Sequence, residues 1–306
     1  MPNDAHEAVL APLTYACTKA IHSMGHDNAL VQVHVNENAR FLGDHITGNS
    51  HMHIRLSSTL SHTSSEPKSL MMVQVGFNQG EIPVIRKLDY CTIDSQDLES
   101  ASSFHVSEGR PYSCPAGDSE TARLSRFTSL KSFDEWKPKR TKKNAFGPVI
   151  VDGHTWIDVS RVDIHAWVRT SPTTPINVNR RNAGYAHGSI YPEFDLDHVD
   201  KLFGTALKRI NQRILSCYEE HAEGARRDRE ASGGFAEESG SHVEATHSAV
   251  ELSDEEPDED ELETTIASLR NWEPKLPIVN WKEIRVCSSR GFGIQVIRVT
   301  RAGMRA

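Results

Sequence analysis

Apolar and polar positions follow a helical period at the start and centre of the chain and a period of two over much of the rest. Residues 5–24 set Val9, Leu10, Leu13, Ala16, Cys17, Ala20, Ile21 and Met24 on one stripe, which predicts a helix ended by Gly25. Proline has no backbone donor, so this helix is expected to begin at Pro12, with the ring in its first turn. Between residues 28 and 107 the segments 30–35, 51–56 and 71–77 alternate and predict strands. Asn78-Gln79-Gly80 reads as a turn. Ile82-Pro83-Val84-Ile85 reads as a further strand, and Pro83 assigns it to a sheet edge. Phe104-His105-Val106 is a weaker strand signal.

Residues 109–145 are polar, Ser-rich and then Lys-rich, and read as a long loop. Strand patterns resume at 149–151, 156–159 and 162–168, and the Pro-, Asn- and Gly-bearing stretch 171–188 reads as loop. Leu196, Val199, Phe203, Leu207, Ile210, Ile214 and Tyr218 then mark the clearest amphipathic helix, 195–218, with Asp195 as its N-cap. Residues 219–263 have the composition of disorder, with a short helix over 261–270. Two strands, 282–287 and 294–300, close the chain, the last expected to return to the sheet.

These elements predict an α+β, strand-rich fold. It would be an antiparallel sandwich or jelly-roll-like sheet with an N-terminal helix, one long amphipathic helix and a disordered acidic insert. Residues 1–108 would supply a helix and strands, 109–146 a Ser/Lys-rich loop, and 147–218 the strands and helix of the same domain. Residues 219–271 would be the acidic excursion and 272–306 the returning strands.

Charge changes this picture most. The chain carries net −8, but residues 219–263 hold 17 acids against 3 Arg, so the remainder is net +6. The cations gather at 123–143 and 275–305. Segregation of this kind concerns partners more than chemistry. Lys201, Lys208, Arg209 and Arg213 would add a basic outer side to the long helix.

The five cysteines form no CxxC pair, which argues against a disulfide framework or thiolate zinc site and for a reducing compartment. No apolar run reaches the ~18–20 residues of a membrane span, and no N-terminal leader pattern is visible. The expectation is an intracellular protein, in nucleus or cytoplasm, with the nucleus slightly favoured.

Lys137-Pro138-Lys139-Arg140-Thr141-Lys142-Lys143 resembles a basic nuclear-import signal: closely spaced cations led by proline, suited to an acidic receptor groove. With Trp136 beside them, Lys137, Lys139, Arg140, Lys142 and Lys143 also suit phosphates and a stacked base. Arg290 and Arg298 belong to the second basic segment. Arg290-Gly291-Phe292-Gly293 matches the opening of an RNA-recognition-motif signature, but Ile294 and Ile297 replace the stacking aromatics, so it reads as a turn before a core strand. Val250, Leu252 and Ser253, followed by acids, resemble a SUMO-interacting motif, a short strand that would add to a partner's sheet edge.

His51 and His53 share a strand face, which is weak metal-ligand geometry, and they read first as surface histidines. Asp163 and His165 likewise share a face, opposite Ile164 and Ala166. Such a pair can do acid–base work, but it reads first as a surface ion pair. No nucleophile elbow and no phosphate-cradling glycine loop occurs. Trp156, Trp167, Trp272 and Trp281 read as core or edge-covering residues.

Residues 82–106, taken as strand, Asp89-Tyr90, strand, together with 156–168, resemble viral jelly-roll proteins, including cell-to-cell movement proteins. Leu56 is followed by Ser57 and Ser58 where the movement family carries Asp. The functional expectation is a non-enzymatic protein without cofactor. It would bind RNA or DNA through basic surfaces, and the acidic tract would mask those surfaces or recruit partners such as an import receptor or a SUMO-like protein. The alternatives are a viral structural or movement protein and a His/Asp metal-dependent hydrolase.

Overall fold

In the computed structural model the described residues are 4–42, 44–45, 47–59, 66–110, 113, 115–119, 148–151, 153–233, 259–282 and 284. They form α1 (Asp4–His22), β1 (Val31–Leu42), β2 (Thr47–Ser58), β3 (Lys68–Phe77), α2 (Glu81–Asp94) and β4 (Ser100–Glu108). After these come β5 (Val149–Val151), β6 (His154–Ile157), β7 (Val159–Val168), β8 (Tyr185–Tyr191), α3 (Asp197–Gly233) and α4 (Glu259–Asn271).

Six strands join one sheet in the order β1-β2-β3-β4-β7-β8, while β5 and β6 pair apart from it. All neighbours in the large sheet are antiparallel except β3 and β4, which run parallel with α2 as their crossover. Over the described residues the sheet is therefore mixed, not the wholly antiparallel sandwich or jelly roll that alternation suggested. The class itself, α+β and strand-rich, stands.

Alternation sorts the side chains into two cores. On one face Met52, Ile54, Leu56, Met71, Val73, Val75, Phe104, Val106, Ile164 and Ile190 meet Leu13, Cys17 and Ile21 of α1 and Val199, Phe203, Ile210 and Ile214 of α3. On the other face Met72, Ala101 and Trp167 meet Leu88 and Cys91 of α2 together with Leu98, Ile176 and Val178. Helices thus cover both sides of the sheet.

Several expectations are corrected. Residues 81–94 are helix: Val84, Leu88 and Cys91 bury one helical stripe, and Pro83 sits in the first turn, where a missing donor costs nothing. That removes the first of the strands on which the jelly-roll resemblance rested. Helix α1 begins at Asp4 and runs through Pro12, with Leu10 and Leu13 on either side of the proline buried.

The long helix begins at Asp197, and Asp195 pairs its backbone with Ser189 in place of capping. The helix runs past residue 218 to Gly233, so the first third of the acidic tract is ordered. Arg226–Glu230 and Arg227–Glu223 pairs support its exposed end. Helix α4 buries Leu262, Ile266 and Leu269, and Arg270 pairs with Glu219 at 2.7 Å. Residues 281, 282 and 284 are helical, the last two within the 282–287 segment where a strand is expected. Trp281 donates from Nε1 to Asp200 Oδ1 at 3.0 Å and packs edge-on to Phe203. The expected strand 294–300 lies outside the described residues.

Candidate functional site

The residues picked out by charge and motif do not fall within the described structure. Trp136, Lys137, Lys139, Arg140, Lys142, Lys143, Val250, Leu252, Ser253, Arg290 and Arg298 all lie outside the described residues. The basic side expected on α3 is described, and most of its charge is neutralised. Lys208 pairs with Glu273. Arg213 donates to Glu99 Oε1 at 2.7 Å, and Arg209 stands 3.6 Å from Glu99 Oε2. Glu99 precedes β4 and is buried, as is Arg169, whose Nε lies 3.8 Å from it. Arg169 also donates to the carbonyls of Leu98, Pro172 and Gln96. These three arginines gather on one buried acid and clamp α3 to the sheet. Lys201, by contrast, is exposed.

His51 and His53 do share the face opposite Met52 and Ile54, but each has a structural partner. The Val75 N–H donates to His51 Nδ1 at 3.0 Å, and His53 Nε2 is 3.0 Å from Ser69 Oγ. Burial, helped by Arg55, pushes the His53 imidazole down to about 4. Among the described residues no group of three His, Cys, Asp or Glu side chains is placed to hold a metal ion.

The Asp163–His165 pair is not a surface ion pair. Both residues are buried on the α2 side of the sheet, and the register brings more residues to them. His165 pairs across to His187 on β8 and to Ser103 on β4, and Asp163 pairs across to His105. The His165 ring centroid lies 5.3 Å from that of His105 and 4.7 Å from that of His187. Tyr185 Oη is 2.9 Å from His165 Nδ1. His187 Nε2 stands 3.7 Å from Asp163 Oδ1, and Arg161 binds the other carboxylate oxygen at 2.5 Å. His165 is pushed down to about 3, first by burial, then by the charges of His105, His187, Arg181 and Arg161. It is a neutral ring at ordinary pH.

An aromatic ladder extends from this cluster. Trp167 stacks on His165 with centroids 6.0 Å apart and 17° between planes, and Tyr185 lies 5.4 Å from Trp167. The Arg181 guanidinium sits over the Tyr185 ring at 5.5 Å. Two concavities flank the ladder. One, about 650 Å³, lies between α2, the end of β7 and residues 174–182; Asp89, Trp167, Ile176, Asn179 and Arg180 help to line it. The other, about 420 Å³, lies along β8 beside α3, with Tyr185, His187, His198, Lys201 and Leu202. Tyr185, with Arg181 over its ring, lines the smaller one.

Sequence reading found Asp163 with His165 through strand parity alone. His105 and His187 arrive by tertiary pairing, which one sequence does not display. Arg180, Arg181 and the asparagines fall in the stretch 171–188 that reads as loop, and Arg-Arg near Tyr is the signal it carries.

Comparison of the chain with protein-family models, with curated proteins and with solved structures returned no match.

Proposed function

We propose that the protein is a non-enzymatic nucleic-acid-binding protein, and that the aromatic–cationic strip around Tyr185 is its ordered contact surface. The observation that carries this reading is the Arg181 guanidinium poised on the Tyr185 ring, with Arg180 lining one concavity and Tyr185, His198 and Lys201 lining the other. Guanidinium and ammonium groups neutralise phosphates, aromatic faces stack bases, and asparagines read base edges. The cluster beneath supports the strip. His165 is neutral and held by Tyr185, so it orients the ring without placing a competing charge there.

The basic segment 137–143 is proposed as a further phosphate contact and as an import signal for a nuclear receptor. The stretch 237–256 contains seven acids and no lysine or arginine. It is proposed to compete with nucleic acid for these cations, because a tethered counter-charge acts at high effective concentration. Val250, Leu252 and Ser253 are proposed as its contact with a SUMO-like partner.

The test is titration of labelled single-stranded and duplex oligonucleotides at several salt concentrations, with the full chain and with a chain lacking residues 237–256, a deletion that spares α3 and α4. Salt-dependent binding that tightens on deletion supports the reading. Absence of binding in both chains rejects it, and equal affinities reject the masking.

A further inference from the structure

Strand β1 is an outer edge of the six-stranded sheet, with β2 as its neighbour. Among the described residues no backbone hydrogen bond reaches residues 32–42 from the side away from β2. A long edge of this kind presents a row of N–H and C=O groups that another strand can pair with. Edges that stay single are blunted by Lys, Pro or a bulge. The run Val31-Gln32-Val33-His34-Val35-Asn36-Glu37 holds no Lys, Arg or Pro, and its register with β2 has no shift. The regular strand geometry is interrupted at Asn38, whose φ of 51° lies in the left-handed region.

We infer that this edge pairs with the same edge of a second copy of the chain, antiparallel, with the two-fold axis at His34. The inference goes beyond the nucleic-acid reading and does not rest on it.

The run is its own complement, and this selects a second copy as the occupant. A two-fold contact is isologous, so residues equally far on either side of the axis face each other. The axis at His34 centres on the run, and around it the sequence is nearly palindromic: valine at 33 and 35, a carboxamide at 32 and 36. Val33 of each copy then lies opposite Val35 of the other, and Gln32 opposite Asn36. Residues opposite each other in an antiparallel pair point to the same face. Val33 and Val35 are half-buried against the core on the α1 side of the sheet. A strand alongside covers the surface they still expose, and β-branched pairs across strands are favourable. Gln32, His34 and Asn36 are exposed on the other face, and each carboxamide both donates and accepts.

Charge agrees with this. Glu37 is the one carboxylate of the run, and it falls at the rim, opposite Val31, so no like charges meet in the contact. Strand β8 forms the opposite edge of the sheet. Joining two sheets through β1 therefore leaves the Tyr185 strip of each copy free at a far end.

The experiment is sedimentation velocity of the full chain at micromolar concentrations, without nucleic acid. The native chain is expected to sediment at twice the 34.1 kDa of one copy. His34 is exposed and its contact is a 3.2 Å approach to Gln32 Oε1, so its replacement spares the fold. His34→Glu sets two carboxylates face to face across the axis, and His34→Lys sets two ammonium groups there. Each variant alone is expected to dimerise about tenfold more weakly or worse. Mixing the two variants sets opposite charges across the axis and is expected to restore the dimer, which also shows that both variants are folded.

A native chain that stays monomeric overturns the inference. Variants that dimerise with native affinity overturn it too, because the contact then lies elsewhere. A mixture that stays as weakly associated as either variant alone overturns the pairing about His34.

Discussion

Tyr185 Oη and His165 Nδ1 stand 2.9 Å apart on neighbouring strands, a hydrogen bond between the partly buried phenol and the buried imidazole. An imidazole that accepts the phenol proton at Nδ1 carries its own proton at Nε2, which lies 3.7 Å from Glu81 Oε1 at the start of α2. The bond links the sheet to the aromatic strip: with a neutral His165 the phenol donates, and on protonation the Nδ1–H donates to Tyr185 Oη instead.

Acid should therefore destabilise the fold. Burial holds His165 at about 3 and His53 at about 4, against 6.5 for a free imidazole, and His105 is also lowered, by burial first. Between these values the unfolded chain binds protons that the folded chain does not. Their contribution is complete above about pH 6.5 and is lost as pH falls through the folded values. His45, held by Asp94 at the surface, is shifted upward and works in the opposite direction. Urea midpoints measured from pH 7 to pH 5 should fall, with His53 accounting for roughly 1–2 kcal/mol. His53→Gln should flatten that slope; a midpoint independent of pH would contradict the assignment.

Glu99 should be among the least replaceable polar residues in the molecule. Arg169, Arg209 and Arg213 all turn to it, and Arg169 is buried with it. Glu99→Ala leaves a buried guanidinium without its counter-charge, which costs about 3–5 kcal/mol when one member of a buried pair is removed. Chemical denaturation measures this directly. A loss below about 1 kcal/mol would mean that water compensates Arg169 and that the clamp on α3 is weak.

Two glycines should respond in opposite ways. A Cβ at Gly188 of β8 would lie 2.5 Å from Asp195 O and 2.9 Å from both Leu196 and Val199, where α3 crosses the sheet. Gly188→Ala is expected to destabilise by about 1–3 kcal/mol through overpacking. A Cβ at Gly224, within α3, meets nothing within 4 Å. Gly224→Ala should stabilise by about 0.5–1 kcal/mol through helix propensity. Thermal melts of the two variants settle both signs.

Much of the sheet was legible because half-buried strands alternate: β1, β2, β3 and β7 follow from Val, Ile, Leu and Met at every second place. Strand β4 was nearly missed because Ser100, Ser102 and Ser103 fill buried positions that pattern reading assigns to solvent. Helix α2 was misread because Ile82, Val84 and Ile85 favour strands locally, while the deciding stripe of Val84, Leu88 and Cys91 needs a longer window and a sheet to pack on. The ordered end of α3 was hidden by its acidity; Glu219 and Arg270 lie 51 residues apart and meet only in the fold. The parallel β3–β4 pair was invisible for a related reason, since direction depends on the crossover and not on the strands. At the candidate site, one same-face pair could be read, but the partners that bury it come from three other strands or loops.

The most direct test of nucleic-acid binding at the Tyr185 strip is the salt dependence of affinity for a single-stranded oligonucleotide, compared between the native chain and the Arg180→Ala/Arg181→Ala double variant. Each lost phosphate contact should reduce the slope of log affinity against log salt by about 0.7. The expected result is weaker binding with a slope shallower by roughly 0.7–1.4. A double variant with native fold, native affinity and native slope would place the contact elsewhere and contradict the assignment.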